Sequence, residues 1–182
     1  DEKVIKSEQQ VPDNLYASII SLHAIVGMNG SGKSTIVELI IRIINNLSFY
    51  ILGEQSGTYA AEPLVPVRRL NAELYYEKDN VIYKITISND SFSWTDERGN
   101  IMGKNSEDLQ SLFYTIVINY SHYAYNSLEY QSEIMGRYKK KFWIEALFHK
   151  NDGYRTPIVL NPFSERGNID INVETELAEQ RS

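Results

Sequence analysis

A short glycine-rich stretch holds the residues of this chain that are best suited to chemistry. Gly27–Thr35 reads G-M-N-G-S-G-K-S-T and satisfies the pattern G-x-x-x-x-G-K-[ST]. Glycines allow backbone conformations that a Cβ forbids, so the N–H groups of such a loop can approach an oxyanion closely. The lysine adds one compact positive charge beside them. The spacing therefore predicts a site for the phosphates of a nucleotide.

Each position of this loop has an expected role. Lys33 is expected to meet the β- and γ-phosphates and to be the catalytic residue, because its ammonium group offsets the negative charge there. Ser34 is expected to bind Mg²⁺ through its hydroxyl group, and Thr35 to lie near the α-phosphate. The expected ligands are ATP and Mg²⁺, and the expected nucleotide contacts are Gly27, Asn29, Gly30, Ser31, Gly32, Lys33, Ser34 and Thr35.

The segments on either side of the loop are apolar. Ile19–Val26 is rich in β-branched residues and is followed at once by the glycine turn, which predicts a buried strand. Residues 35–47 have apolar side chains on nearly every face, which predicts a helix buried on several sides. Strand, glycine turn and buried helix are the expected context of a P-loop, and they argue against a chance match.

Further along the chain, polar and apolar residues alternate. Strands are predicted at Leu70–Glu77, Val81–Ser88 and Ser91–Thr95, and the turn Lys78–Asn80 predicts an antiparallel hairpin. The segment before them, Gly53–Pro66, is rich in glycine and proline and predicts a long loop.

The last third of the chain has weaker signals. We predict a short helix at Ser106–Leu112 capped by Ser106, a strand at Tyr114–Asn119, a mostly helical segment at Leu128–Phe148 and a short strand at Pro157–Leu160.

Composition sets the outer limits on function. The chain has 182 residues, 42% of them hydrophobic and 23% charged, which suits one soluble domain or one lobe of a larger protein. The net charge of -6 argues against a surface that is basic all over. The absence of cysteine excludes disulfides, thiolate metal sites and cysteine nucleophiles.

Neither the N-terminus nor the apolar stretch predicts a membrane segment. The first ten residues are polar and charged, unlike a signal peptide. The most apolar stretch, residues 36–44, is interrupted by Glu38 and Arg42 and ends at Asn45, so we expect it to be too short to cross a bilayer. We therefore expect a cytoplasmic protein.

The loop residues Asn29–Thr35, N-G-S-G-K-S-T, resemble the loop of ABC-type ATPases, above all those of the SMC, RecF, RecN and OLD-like branch. The antiparallel strands predicted after the loop helix fit that branch. A weaker resemblance links Trp143–Asn172 to ATPases of anti-phage systems such as Septu. The resemblance implies an α/β fold: a P-loop NTPase lobe, ABC ATPase-like, with an added antiparallel β-layer and a helical C-terminal part.

On this interpretation, residues 1–182 form a single ATP-binding lobe. Its expected parts are the P-loop at 27–35, antiparallel strands at about 70–95, a second strand and loop at 114–126, a helical segment at about 127–150 and a tail at 151–182. The family's Asp-Glu strand, S-G-G-like signature and switch histidine are not found in the sequence. We therefore expect the lobe to be incomplete at its C-terminus.

Two further groups of residues are weaker candidates. The family places a glutamine-bearing loop after a strand; here Asn119, Ser121 and His122 stand at that junction, and a structural loop is the alternative. Arg137, Lys139 and Lys140 belong to a basic cluster followed by two aromatic residues, which could contact nucleic acid. A solvated helix face is the alternative for that cluster.

The resemblance implies a functional cycle. Two copies would close around ATP as a homodimer, and hydrolysis would open them, gating DNA binding or an associated nuclease in DNA repair or phage defence. The alternative is a regulatory or scaffold module that binds the nucleotide without turnover. A GTPase is disfavoured because no N-K-x-D motif occurs.

Overall fold

A computed structural model describes residues 24–53, 64–89, 91–103, 105–112, 116–119, 125–133, 142–148 and 158–161. Their contacts group the chain into two compact units, Asp1–Ile36 and Val37–Ser182. The helices are α1 (Lys33–Leu52), α2 (Ser106–Leu112) and two 3-10 helices, Ser127–Glu133 and Trp143–Leu147. The strands are β1 (Asn71–Lys78), β2 (Val81–Ser88), β3 (Ser91–Asp96), β4 (Ile116–Asn119) and β5 (Ile158–Asn161).

Helix α1 confirms the predicted helix after the glycine loop and extends it at both ends. Its second half is buried from Ile43 to Ser48 and half-buried beyond, and Ile44 and Leu47 lie in the hydrophobic core together with Ile41 from the first half. Its first half is different, because Ile36 and Leu39 are exposed. The prediction of burial all round is therefore correct only for the second half.

The length of α1 also corrects an expectation about membranes. The helix has 20 residues, because it continues through Asn45 and Asn46. By length and composition alone it could cross a bilayer, and among the described helices it alone passes that test. The core helix of a soluble protein and a signal sequence pass the same test.

The buried asparagines of α1 hold a segment without regular secondary structure, residues 64–67, which we call the strap. Asn46 accepts a hydrogen bond from the Val67 N–H at 2.6 Å and donates one to the Val67 carbonyl at 2.9 Å. Asn45 donates to the Val65 carbonyl at 2.9 Å. The strap is buried, so the last part of the predicted loop is packed in the core; residues 54–63 lie outside the described part.

The predicted antiparallel hairpin is confirmed, and a third strand completes the sheet β1-β2-β3. Asp79 and Asn80 at the first turn have φ angles of 52° and 61°, the left-handed values that a tight two-residue hairpin turn requires. On the inner face, Leu74 lies opposite Ile85, which lies opposite Trp94. The buried Ile85 and Trp94 belong to the same core as the second half of α1.

The outer face of this sheet is polar. Glu73 and Lys84 form an ion pair of 2.6 Å across β1 and β2, and the Lys84 ammonium lies 5.3 Å from the centre of the Tyr75 ring. The hydrogen bond from Lys84 holds the pKa of the Glu73 carboxyl below its usual range, and the same bond raises the pKa of Lys84. Solvent screens this exposed pair, so it contributes little to stability.

Strand β4 lies within the strand predicted at Tyr114–Asn119, and β5 overlaps the one predicted at Pro157–Leu160 but ends one residue later, at Asn161. The two strands pair in parallel, with Ile116 opposite Ile158. The segment predicted as helical at 127–150 forms 3-10 helices at Ser127–Glu133 and Trp143–Leu147, whereas Phe148 is extended and bridges to Leu160. Residues 134–141 and 149–150 lie outside the described part. The predicted cap of α2 is wrong by one residue: Asn105, whose side chain accepts the Asp108 N–H at 2.9 Å, caps the helix.

Arg42 joins α1 to both 3-10 helices. Its guanidinium carbon lies 5.3 Å from the centre of the Tyr130 ring and 5.4 Å from that of Trp143, and it forms an ion pair of 3.0 Å with Glu38. The two rings meet edge to face at 5.5 Å. Burial raises the pKa of the Tyr130 hydroxyl above its ordinary value. This cluster is structural, because both rings are buried.

Candidate nucleotide-binding loop

The glycine-rich loop leads directly into the N-terminus of α1. The first helical hydrogen bond runs from the Ile36 N–H to the Gly32 carbonyl, at 3.0 Å. The N–H groups of Lys33, Ser34 and Thr35 therefore have no acceptor within the helix. These groups and the helix dipole concentrate positive charge at this end, which favours an anion.

Two of the glycines have backbone conformations that other residues rarely adopt. Gly30 has a φ angle of 80° and Gly32 one of 85°. A Cβ at either position would meet no atom within 4 Å, so the backbone angle, and not the space, demands glycine. Gly27 differs, because a Cβ there would lie 2.6 Å from the Ser31 Oγ.

The Lys33 side chain folds back over the loop. Its ammonium group donates to the Gly27 carbonyl at 2.7 Å and to the Met28 carbonyl at 2.8 Å. The Met28 carbonyl also accepts the Ser31 N–H at 3.2 Å. An ammonium has three hydrogens, so one remains for a phosphate oxygen while both carbonyl bonds persist.

The loop is open to solvent. Asn29, Gly30 and Ser31 are exposed, as are Ser34 and Thr35. Gly27 is exposed too, and the remaining two predicted contact residues, Gly32 and Lys33, are half-buried. A charged ligand can therefore reach the predicted contact residues without first opening a packed core.

The segment before the loop corrects the prediction of a buried strand. Residues 24–26 form no strand, and the side chains of Ile25 and Val26 are 53% and 89% exposed. Among the described strands, none pairs with these residues. The rest of the predicted strand, residues 19–23, lies outside the described part.

The residues at the helix start fit a magnesium ion bound together with a nucleotide. The Ser34 hydroxyl is exposed at the second position of α1 and offers a hard oxygen ligand. Mg²⁺ usually takes few protein ligands and completes its shell with phosphate oxygens and water. Within the described ranges, no cluster of three or more His, Asp or Glu side chains forms an independent metal site.

Of the weaker candidates, Asn119 is the exposed last residue of β4. Ser121, His122, Arg137, Lys139 and Lys140 all lie outside the described residues. One group of the loop was not predicted from the sequence: the Met28 carbonyl oxygen, which accepts a hydrogen bond from the Lys33 ammonium. No side-chain signal could have revealed it, because every residue type has a backbone carbonyl.

Comparisons of this chain with protein-family models, curated proteins and solved structures found no match. The resemblance to ABC-type ATPases therefore depends on the loop residues and on the antiparallel strands that follow α1. The hydrogen bonds of Lys33 and the backbone angles of Gly30 and Gly32 bear on the kind of ligand, an anion, without reference to any family.

Proposed function

We propose that this chain binds Mg-ATP through the loop Gly27–Thr35. One observation carries the proposal: the Lys33 ammonium lies over a glycine loop at the start of a helix, tied to the Gly27 and Met28 carbonyls with one hydrogen to spare. A fixed ammonium beside unpaired backbone N–H groups is a site for a polyphosphate.

Each residue has a part in this proposal. The N–H groups of the loop and of the first turn of α1 donate to phosphate oxygens, and Gly30 and Gly32 give the backbone the conformation that this requires. Lys33 neutralises charge on the terminal phosphates. Ser34 would hold Mg²⁺, which supplies charge neutralisation at the phosphates when bound.

We further propose that the chain is the nucleotide-binding part of an ABC-type ATPase of the SMC/OLD-like branch. The support is the N-G-S-G-K-S-T sequence of the loop together with the three-stranded antiparallel sheet that follows α1. In this proposal two copies close around ATP, and the cycle gates DNA binding or an associated nuclease.

Titration calorimetry with Mg-ATP tests the nucleotide site. Lys33→Met keeps the aliphatic part of the side chain but removes the ammonium group, so the charge-assisted hydrogen bonds to phosphate are lost. Such bonds contribute about 1.5–3 kcal/mol, so we expect the affinity to fall at least about tenfold. Arg98→Ala is the matched control, because it removes one positive charge from an exposed turn outside the loop.

Circular dichroism and thermal unfolding of both variants separate a binding defect from a folding defect. The proposal predicts native-like unfolding for both proteins and weakened binding for Lys33→Met alone. Absence of Mg-ATP binding by the unaltered chain, or equal affinities for both variants, would refute it.

A further inference from the structure

We draw no further inference here: the strongest candidate, the exposed apolar face that Ile36, Leu39 and Ile40 form in the first half of α1, has no partner among the described residues, and nothing in the structure shows what covers it.

Discussion

At the scale of single residues, the loop glycines illustrate how one residue type serves different purposes. Gly32 is needed for its left-handed backbone, whereas a Cβ at Gly27 would be too close only to the hydroxyl of Ser31, its other neighbours being at ordinary contact distance. A serine hydroxyl can rotate away, but a left-handed φ angle cannot be relaxed without rebuilding the loop. The same substitution should therefore have different effects at the two sites.

We expect Gly32→Ala to weaken Mg-ATP binding more than Gly27→Ala does. A left-handed alanine costs about 1–2 kcal/mol. The free loop of the variant relaxes to avoid this strain and must take it up again on binding, which corresponds to a loss of affinity of about 5- to 30-fold. Calorimetry on the two variants provides the measurement, with Gly27→Ala as the internal control. A stronger defect for Gly27→Ala would contradict the backbone argument.

Tyr76 gives a prediction about pH. Its hydroxyl accepts a hydrogen bond from the Trp94 indole N–H at 3.0 Å, and burial raises the pKa of Tyr76 to about 12 from an ordinary value of 10.0. The unfolded chain therefore loses this proton at lower pH than the folded chain. The stability linked to Tyr76 is fully present below pH 10 and is lost as the pH rises towards 12.

Urea unfolding measured from pH 8 to pH 11 checks this expectation. Tyr76→Phe removes both the titrating group and the acceptor for the Trp94 indole. We expect the variant to be less stable at every pH, but to lose less of its remaining stability above about pH 10 than the unaltered protein does. Parallel alkaline curves for the two proteins would count against the raised pKa.

At the scale of elements, α1 holds the strap with side-chain amides where a sheet would use backbone groups. Asn46 satisfies both the N–H and the carbonyl of Val67, and its own side chain is completely buried. Buried backbone groups need partners, so this asparagine fixes the position of the strap against the helix. Asn45 and Asn46 therefore do not end the helix; their side chains bind the strap to it.

We expect Asn46→Ala to destabilise the fold by about 2–4 kcal/mol, because it leaves two buried backbone groups of Val67 without partners. Asn71→Ala is the control: Asn71 is exposed and accepts one hydrogen bond, from the Asn89 N–H at 3.2 Å. Its loss should cost less than about 1 kcal/mol. Urea unfolding of both variants gives the comparison, and similar losses would show that the strap is not held by Asn46.

At the scale of the whole molecule, the proposed ATPase makes a prediction about assembly. If two copies close around ATP, a slowly hydrolysed Mg-ATP analogue should shift the chain from monomer to dimer in size-exclusion chromatography with light scattering. Lys33→Met should stay monomeric, because it removes the charge that holds the nucleotide. Binding of the analogue without any change in mass would argue against the closed pair.

A measurement of the inorganic phosphate released from Mg-ATP distinguishes an ATPase from a module that binds the nucleotide without turnover. Steady turnover that Lys33→Met abolishes would favour an ATPase. Tight binding without turnover would favour a regulatory or scaffold module.

Local signals in the sequence determined several parts of this protein. The G-x-x-x-x-G-K-S spacing places Lys33 at a helix start. The left-handed Gly32 cannot belong to the helix, and the apolar residues after it favour one, so the helix begins at Lys33. Period-two alternation and the Asp79-Asn80 turn were enough to predict the β1-β2 hairpin, since its partners are neighbours in the chain.

Only the tertiary structure decided the contacts between distant residues. Three contacts join positions that no local pattern connects: the parallel pairing of β4 with β5, the hydrogen bonds of Asn46 to Val67, and the packing of Arg42 on the rings of Tyr130 and Trp143. Burial is decided in the same way, because an apolar residue is covered only if another element packs on it. The sequence marked Ile36 and Ile44 as equally apolar, but only Ile44 has neighbours that exclude water.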